Sequence, residues 1–118
     1  MKKILYVEDN KDTADAVKVI LDSEGFDTEI SLSGKDSLRR VKERDYDLII
    51  LDIMLPDMSG WDIFTKLKDK VNSKFVFLSA IPVSTERMAE LSRVGVSDYI
   101  TKPFERSDLI ARIRKIVK

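Results

Sequence analysis

The sequence predicts one α/β domain of five βα units, doubly wound around a parallel five-stranded sheet. Three observations carry this expectation. Short apolar runs alternate strictly with segments whose apolar residues fall three and four apart, the pattern of buried strands alternating with amphipathic helices. Two runs, Leu48-Ile49-Ile50-Leu51 and Phe75-Val76-Phe77-Leu78, have no polar face, as expected of strands covered on both sides. The 118 residues suit a single core, and no internal repeat, linker or low-complexity tract divides them.

The first strand is expected over Ile4 to Val7. The helix after it carries Val17, Ile20 and Leu21 and stops at Gly25, a residue type that favours the position just past a helix end. The second strand runs from Thr28 to Leu32, and its polar Glu29 and Ser31 place it at a sheet edge. Ser33 opens the second helix, which carries Leu38 and Val41. Leu48 to Leu51 form the third strand, and the third helix follows Gly60 with Ile63, Phe64 and Leu67. After the fourth strand, Phe75 to Leu78, a helix starts near Ser84 or Thr85, carries Met88, Leu91 and Val94, and ends at Gly95. Tyr99 to Thr101 form the fifth strand. The last helix follows Pro103 and carries Leu109, Ile110, Ile113, Ile116 and Val117.

Composition excludes several classes of function. Lys plus Arg and Asp plus Glu both count 21, for a formal net charge of zero, so the electrostatic footprint of a nucleic-acid binder is absent. No apolar run approaches the roughly 20 residues that span a bilayer, and the apolar stretch after Lys2 and Lys3 is too short for a signal peptide. A soluble cytoplasmic domain is the expectation. The chain has no Cys and no His. It therefore offers no thiolate, no imidazole base and no Ser-His-Asp triad. Its chemistry must use carboxylates, hydroxyls, Lys, Tyr or a metal.

In open α/β sheets, ligands bind beyond the carboxyl ends of the strands. Glu8 and Asp9 follow the first strand, Asp52 the third and Ser79 the fourth, while Lys102 ends the fifth. If the strand order is 2-1-3-4-5, these residues converge on one edge. Three close carboxylates repel one another unless a cation is present. Hard oxygen donors favour Mg²⁺, which keeps several waters and takes few carboxylates. Such an ion could neutralise a phosphoryl oxygen, Lys102 could bind another as a point charge, and Asp52 could act as a nucleophile forming an aspartyl phosphate. Each residue alone would more often be a turn, cap or surface residue; their joint placement favours the chemistry. Asn10, Asp12 and Asp57 are expected to be caps or turn residues.

These residues resemble the receiver domains of response regulators. Asp52-Ile-Met-Leu-Pro-Asp-Met-Ser-Gly60 is similar to that family's phosphoacceptor loop, and Tyr6-Val-Glu-Asp-Asn10 to its acidic first loop. Leu78-Ser79-Ala80 resembles its hydroxyl position, and Asp98-Tyr-Ile-Thr-Lys-Pro-Phe104 its terminal Lys-Pro signature. The resemblance spans residues 1–118 and implies a flavodoxin-like fold. It also implies Asp52 as the phosphoacceptor and Mg²⁺, with Mn²⁺ as an alternative, bound by Asp9, Asp52, the Met54 carbonyl and, directly or through water, Glu8. Ser79 and Lys102 would bind the phosphoryl group, with a cis bond between Lys102 and Pro103. Tyr99 would be the switch aromatic, turning inward as Ser79 moves. Met54 and Ile81, two residues beyond Asp52 and Ser79, would tune dephosphorylation by bordering the path of water. A histidine kinase or phosphotransfer protein would be the donor. The domain would catalyse only its own phosphorylation and dephosphorylation. A dimer face would run from the fourth helix to the fifth, and the downstream partner stays unnamed.

Two departures stand out. The interval from Ser79 to Lys102 is one residue longer than is common in the family, and Val71-Asn-Ser-Lys74 lacks a Pro often found there. The chain ends directly after the fifth helix, as a stand-alone receiver or an excised domain would. Three competitors fit less well. A flavin or nucleotide binder of the same fold needs a phosphate-cradling loop where Glu8 and Asp9 stand. A haloacid-dehalogenase-type phosphatase needs an Asp where Met54 stands. A degenerate receiver kept only for binding would have lost Asp52, Lys102 or an acidic-loop residue, and all are present.

Overall fold

The computed structural model describes residues 1–118. Five βα units follow one another: β1 (Lys3–Val7), α1 (Lys11–Ser23), β2 (Asp27–Ser31), α2 (Gly34–Glu43), β3 (Leu48–Leu51), α3 (Gly60–Leu67), β4 (Lys74–Ser79), α4 (Thr85–Arg93), β5 (Val96–Thr101) and α5 (Arg106–Val117). The strands form one parallel sheet in the order β2-β1-β3-β4-β5. The predicted fold class and order are those observed.

Alternation along the central strands explains their unbroken apolar character. Ile4, Tyr6, Leu48, Ile50, Val76 and Leu78 face α1 and α5, while Leu5, Val7, Ile49, Leu51 and Phe77 face the side covered by α3 and α4. All four residues of β3 are fully buried. Each such side chain contributes about 1.5–3 kcal/mol relative to exposure. The helix starts follow local rules: Asn10, Ser33, Ser59 and Ser84 each accept the amide three residues on, satisfying donors that a helix leaves unpaired. Asn10 is thus a cap, as expected. Gly25 and Gly95 follow the caps of α1 and α4 with φ of 91° and 109°, a region glycine enters without steric cost.

Strand boundaries shift by a residue in several places and by three at the start of β5, and the two edge strands show why. β5 begins at Val96, three residues before Tyr99, because Ser97 forms an irregularity opposite Phe75 and Val76. An extra residue breaks the period-two pattern by which strands are recognised. At the other edge, β2 ends at Ser31 and Leu32 is left exposed. The polar Glu29 there is not simply solvated. It accepts the Tyr46 hydroxyl at 2.9 Å and Arg44 at 2.6 Å, and Ser31 is buried, donating to Asp36 at 2.7 Å. Charged side chains on an edge also discourage pairing with another sheet.

Candidate functional site

Register brings the acidic residues together. Val7 of β1 pairs with Leu51 of β3, and the Asp52 amide continues the ladder by donating to the Val7 carbonyl at 3.1 Å. Glu8 and Asp52 therefore leave adjacent strands side by side. Both are buried. From β5, the Lys102 amide donates to the Ser79 carbonyl at 2.8 Å, and the Lys102 side chain reaches across β4. Its ammonium donates to Glu8 Oε1 at 2.5 Å and Asp52 Oδ2 at 3.0 Å. The Lys102–Pro103 peptide is cis.

Lys102 changes the expected electrostatics. Glu8, Asp9 and Asp52 do not close on one point as a three-carboxylate cluster. Glu8 and Asp52 share one ammonium, and Asp9 is exposed. Burial holds the Glu8 carboxyl above its ordinary value, although Lys102 and the Asn10 amide partly offset this. For Lys102, burial opposes the charge, but the bonds to Glu8 and Asp52 outweigh it and raise its pKa. The Tyr6 hydroxyl donates to Glu8 Oε1 at 3.3 Å from below. The sequence places Tyr6 in the first strand and at the head of the acidic motif, but assigns its hydroxyl no role.

The loop after Asp52 is fixed by its own backbone. The Met54 amide donates to Asp52 Oδ1 at 3.1 Å, Met54 bridges Ser59, and the Gly60 amide donates to the Ile53 carbonyl at 2.9 Å. A Cβ at Gly60 would overlap the Asp52 carbonyl, which is why the position needs glycine. No backbone amide reaches the Met54 carbonyl. Exposed Asp9, the Asp52 carboxylate and that carbonyl supply hard oxygen donors, a set suited to Mg²⁺, which takes one or two carboxylates and keeps waters. The residues present fit such an ion.

Ser79 and Tyr99 are linked through Ile81. Buried Ser79 accepts the Ile81 amide on Oγ at 3.3 Å, and the Tyr99 hydroxyl donates to the Ile81 carbonyl. The Tyr99 ring is already inward, 5% exposed and 6.0 Å from the Phe77 ring. Ile81 is therefore tied to the site despite the long interval before Lys102, while its side chain is exposed like that of Met54. The site is an open corner. A cleft of about 560 Å³, among Lys2, Arg44, Tyr46 and Lys118, lies at the opposite end of the sheet and holds none of these residues.

A carboxylate just past β3 thus touches the lysine that follows β5, with a buried hydroxyl at the end of β4 between them in strand order. The sequence matches the family model of the response regulator receiver domain across residues 4–114. The chain belongs to the response regulator receiver family. This receiver is 35% identical over 118 residues to the response regulator ArlR of Staphylococcus saprophyticus, covering 100% of this chain and 53% of that protein. It is 37% identical over 117 residues to the cell cycle transcriptional regulator CtrA of Caulobacter vibrioides, covering 98% of this chain and 50% of that one. The chain thus spans about half the length of these curated relatives. Among solved structures, the receiver domain of the Francisella response regulator 1452 has a TM-score of 0.89 at 33% identity, covering 99% of this chain and 97% of that one. The response regulator TrrA of Thermotoga maritima, solved in complex with Mg(2+)-BeF, has a TM-score of 0.84 at 29% identity, covering 98% and 99%. The receiver is a signalling domain of two-component systems, and no helix in it is long and apolar enough to cross a membrane.

Proposed function

We propose that this receiver accepts a phosphoryl group on Asp52 from a phosphohistidine on a histidine kinase or phosphotransfer protein, in a reaction that needs a divalent cation. The observation that carries this reading is the Lys102 ammonium, held 3.0 Å from the Asp52 carboxylate and also by Glu8. A carboxylate oxygen of Asp52 forms the new P–O bond while the P–N bond to the donor imidazole breaks. The phosphohistidine lies outside these 118 residues, which contain no His. Lys102 donates to a phosphoryl oxygen as its bond to Asp52 is shared, and the Ser79 hydroxyl binds a second. Mg²⁺, or Mn²⁺, held by Asp9, Asp52, the Met54 carbonyl and Glu8 directly or through water, would neutralise charge on the phosphoryl oxygens. The receiver itself supplies the catalysis of its phosphorylation and dephosphorylation and acts on no other substrate.

Ser79 passes the change on. As its hydroxyl turns to the phosphoryl group, its bond with the Ile81 amide is lost, and Ile81 in turn holds Tyr99. Helix α4 fully buries only Leu91, so it has little packing to lose by shifting, and the response is a population shift. The same change would favour a dimer through the α4–α5 face, read by sedimentation before and after phosphorylation; an unchanged mass would contradict the dimer. An output domain or protein partner in the cytoplasm would read the switch. The test of the phosphoacceptor is the intact mass after treatment with acetyl phosphate and Mg²⁺. The parent should gain one phosphoryl group, and neither Asp52→Asn nor a chelated sample should. Equal gain by Asp52→Asn would overturn the assignment.

A further inference from the structure

The loop between Asp52 and α3 has a closed inner end and an open outer turn. The Gly60 amide donates to the Ile53 carbonyl and Met54 faces Ser59 in an isolated antiparallel bridge, but no further backbone hydrogen bond outside helices and strands involves Leu55, Pro56, Asp57 or Met58. What holds that turn is Asp57. One carboxylate oxygen accepts the Gly34 amide at 2.9 Å and the other accepts the Lys35 amide at 2.8 Å. These residues lie 23 and 22 positions upstream and open α2. Beside this contact, Met58 packs against Gly34, where a Cβ would overlap its side chain. Two contacts of different kinds thus dock the outer turn onto the first turn of α2.

An ordinary helix cap does not account for this. Helix α2 already has its own cap, since Ser33 Oγ accepts the Asp36 amide at 3.1 Å. The amides Asp57 takes belong to the group that a helix leaves unpaired and that water can satisfy. The helix end gains a favourable anion, but the loop gains its only long-range polar anchor. The turn so anchored lies between Met54, whose amide holds Asp52 Oδ1, and Gly60, which fits only against the Asp52 carbonyl.

We propose that Asp57 is a positioning residue for the phosphoacceptor site: by clasping the amides of Gly34 and Lys35 it fixes the outer turn and so holds Asp52 Oδ1 and the Met54 carbonyl in register for the cation. The proposal rests on the reading of Asp52 and the cation given above. Coupling between two sites is reciprocal. Occupancy of the corner is therefore registered at the first turn of α2 as well as at Tyr99.

The test follows backbone amides of the full chain by NMR during a Mg²⁺ titration, for the parent, Asp57→Ala and Asp57→Asn, with thermal midpoints measured alongside. In the parent, the Gly34 and Lys35 amides should shift with the same Mg²⁺ dependence as acetyl-phosphate labelling. In Asp57→Ala the Mg²⁺ affinity should fall about tenfold, the low end for loss of an outer support of a metal ligand, and those two amides should stop responding. Asp57→Asn keeps one acceptor oxygen and should fall between. A lower thermal midpoint with unchanged Mg²⁺ affinity would mark Asp57 as a fold anchor only and overturn the proposal, as would parental Gly34 and Lys35 amides that ignore Mg²⁺. A parent that is neither labelled nor responsive to Mg²⁺ would instead overturn the reading of Asp52 on which the proposal stands.

Discussion

Replacing Lys102 by Ala should cost more stability than any surface ion pair in the molecule. Lys102 is 19% exposed and lies between Glu8 and Asp52, whose side chains are 2% and 10% exposed. Its removal leaves two buried carboxylates facing each other. Removing one partner of a buried ion pair costs about 3–5 kcal/mol, and the open edge at Lys102 places this case near the lower figure. For a domain of this size, about 3 kcal/mol corresponds to roughly 12 °C in Tm. The sign with pH is opposite to that of a typical paired carboxylate. Burial holds the Glu8 carboxyl above its ordinary 4.5, and without Lys102 it must rise further. A carboxyl with a raised folded pKa binds its proton more readily when folded. Its cost to stability is therefore absent below pH 4.5 and grows as pH rises to the folded value. Lys102→Ala should accordingly recover stability from pH 7 to pH 5 more than the parent does. Mg²⁺ should also rescue the variant more, because the ammonium no longer competes; saturation to 100 Kd is worth about 2.7 kcal/mol. Urea denaturation in chelator and in Mg²⁺, at both pH values, measures each quantity. A variant as stable as the parent in chelator at pH 7, or less stable at pH 5 than at pH 7, would refute the reasoning.

Four further outcomes are expected. Burial opposes ionisation of Asp36, but the Ser31 hydroxyl and the guanidiniums of Arg40 and Arg39 hold its carboxyl down to about 2; this stability is present above the ordinary 3.8 and lost as pH falls through about 2. Asp36→Asn should therefore cost about 1–2 kcal/mol at pH 7, and a cost that persists unchanged in strong acid would contradict the assignment. Gly60→Ala should lose about 1–3 kcal/mol by overpacking against the Asp52 carbonyl and label poorly in the acetyl-phosphate assay; a variant with parental stability and labelling would show that the loop yields freely. Ser79→Ala should still be phosphorylated but leave the NMR signals around Ile81 and Tyr99 almost unmoved, and a parental response there would break the proposed link. Met54 and Ile81 expose apolar side chains beside the site, so Met54→Asn or Ile81→Glu should speed decay of the phosphorylated form in excess Mg²⁺, where a positioned polar group is worth about 10²-fold or more; unchanged decay in both would remove these side chains from the path of water.

The sequence showed the sheet most clearly where physics allows one solution. Leu48 to Leu51 is apolar at every position because both faces of β3 are covered. It showed β5 least clearly, because Ser97 interrupts the alternation where the strand is irregular. Asp52, Glu8, Ser79 and Lys102 were legible because strand ends in a doubly wound sheet face one way. Their pairing was not. Lys102 is 94 positions from Glu8 and 50 from Asp52, and repulsion among carboxylates was the natural expectation until their shared ammonium came into view. Asp57 shows the same limit. Local rules made it a turn residue, which it is, but its two partners are set by how α2 packs beside the loop. Tyr6 likewise fills a strand position by its ring and reaches Glu8, two residues on, by its hydroxyl.

The central claim is that one residue, Asp52, carries the phosphoryl group. An acyl phosphate is reduced by borohydride to an alcohol, which marks the carboxylate that bore it. The protein is treated with acetyl phosphate and Mg²⁺, reduced, digested and mapped by mass. Residue 52 should be the one converted to homoserine, with Glu8, Asp9 and Asp57 unchanged. Conversion at any other carboxylate, with Asp52 intact, would contradict the account.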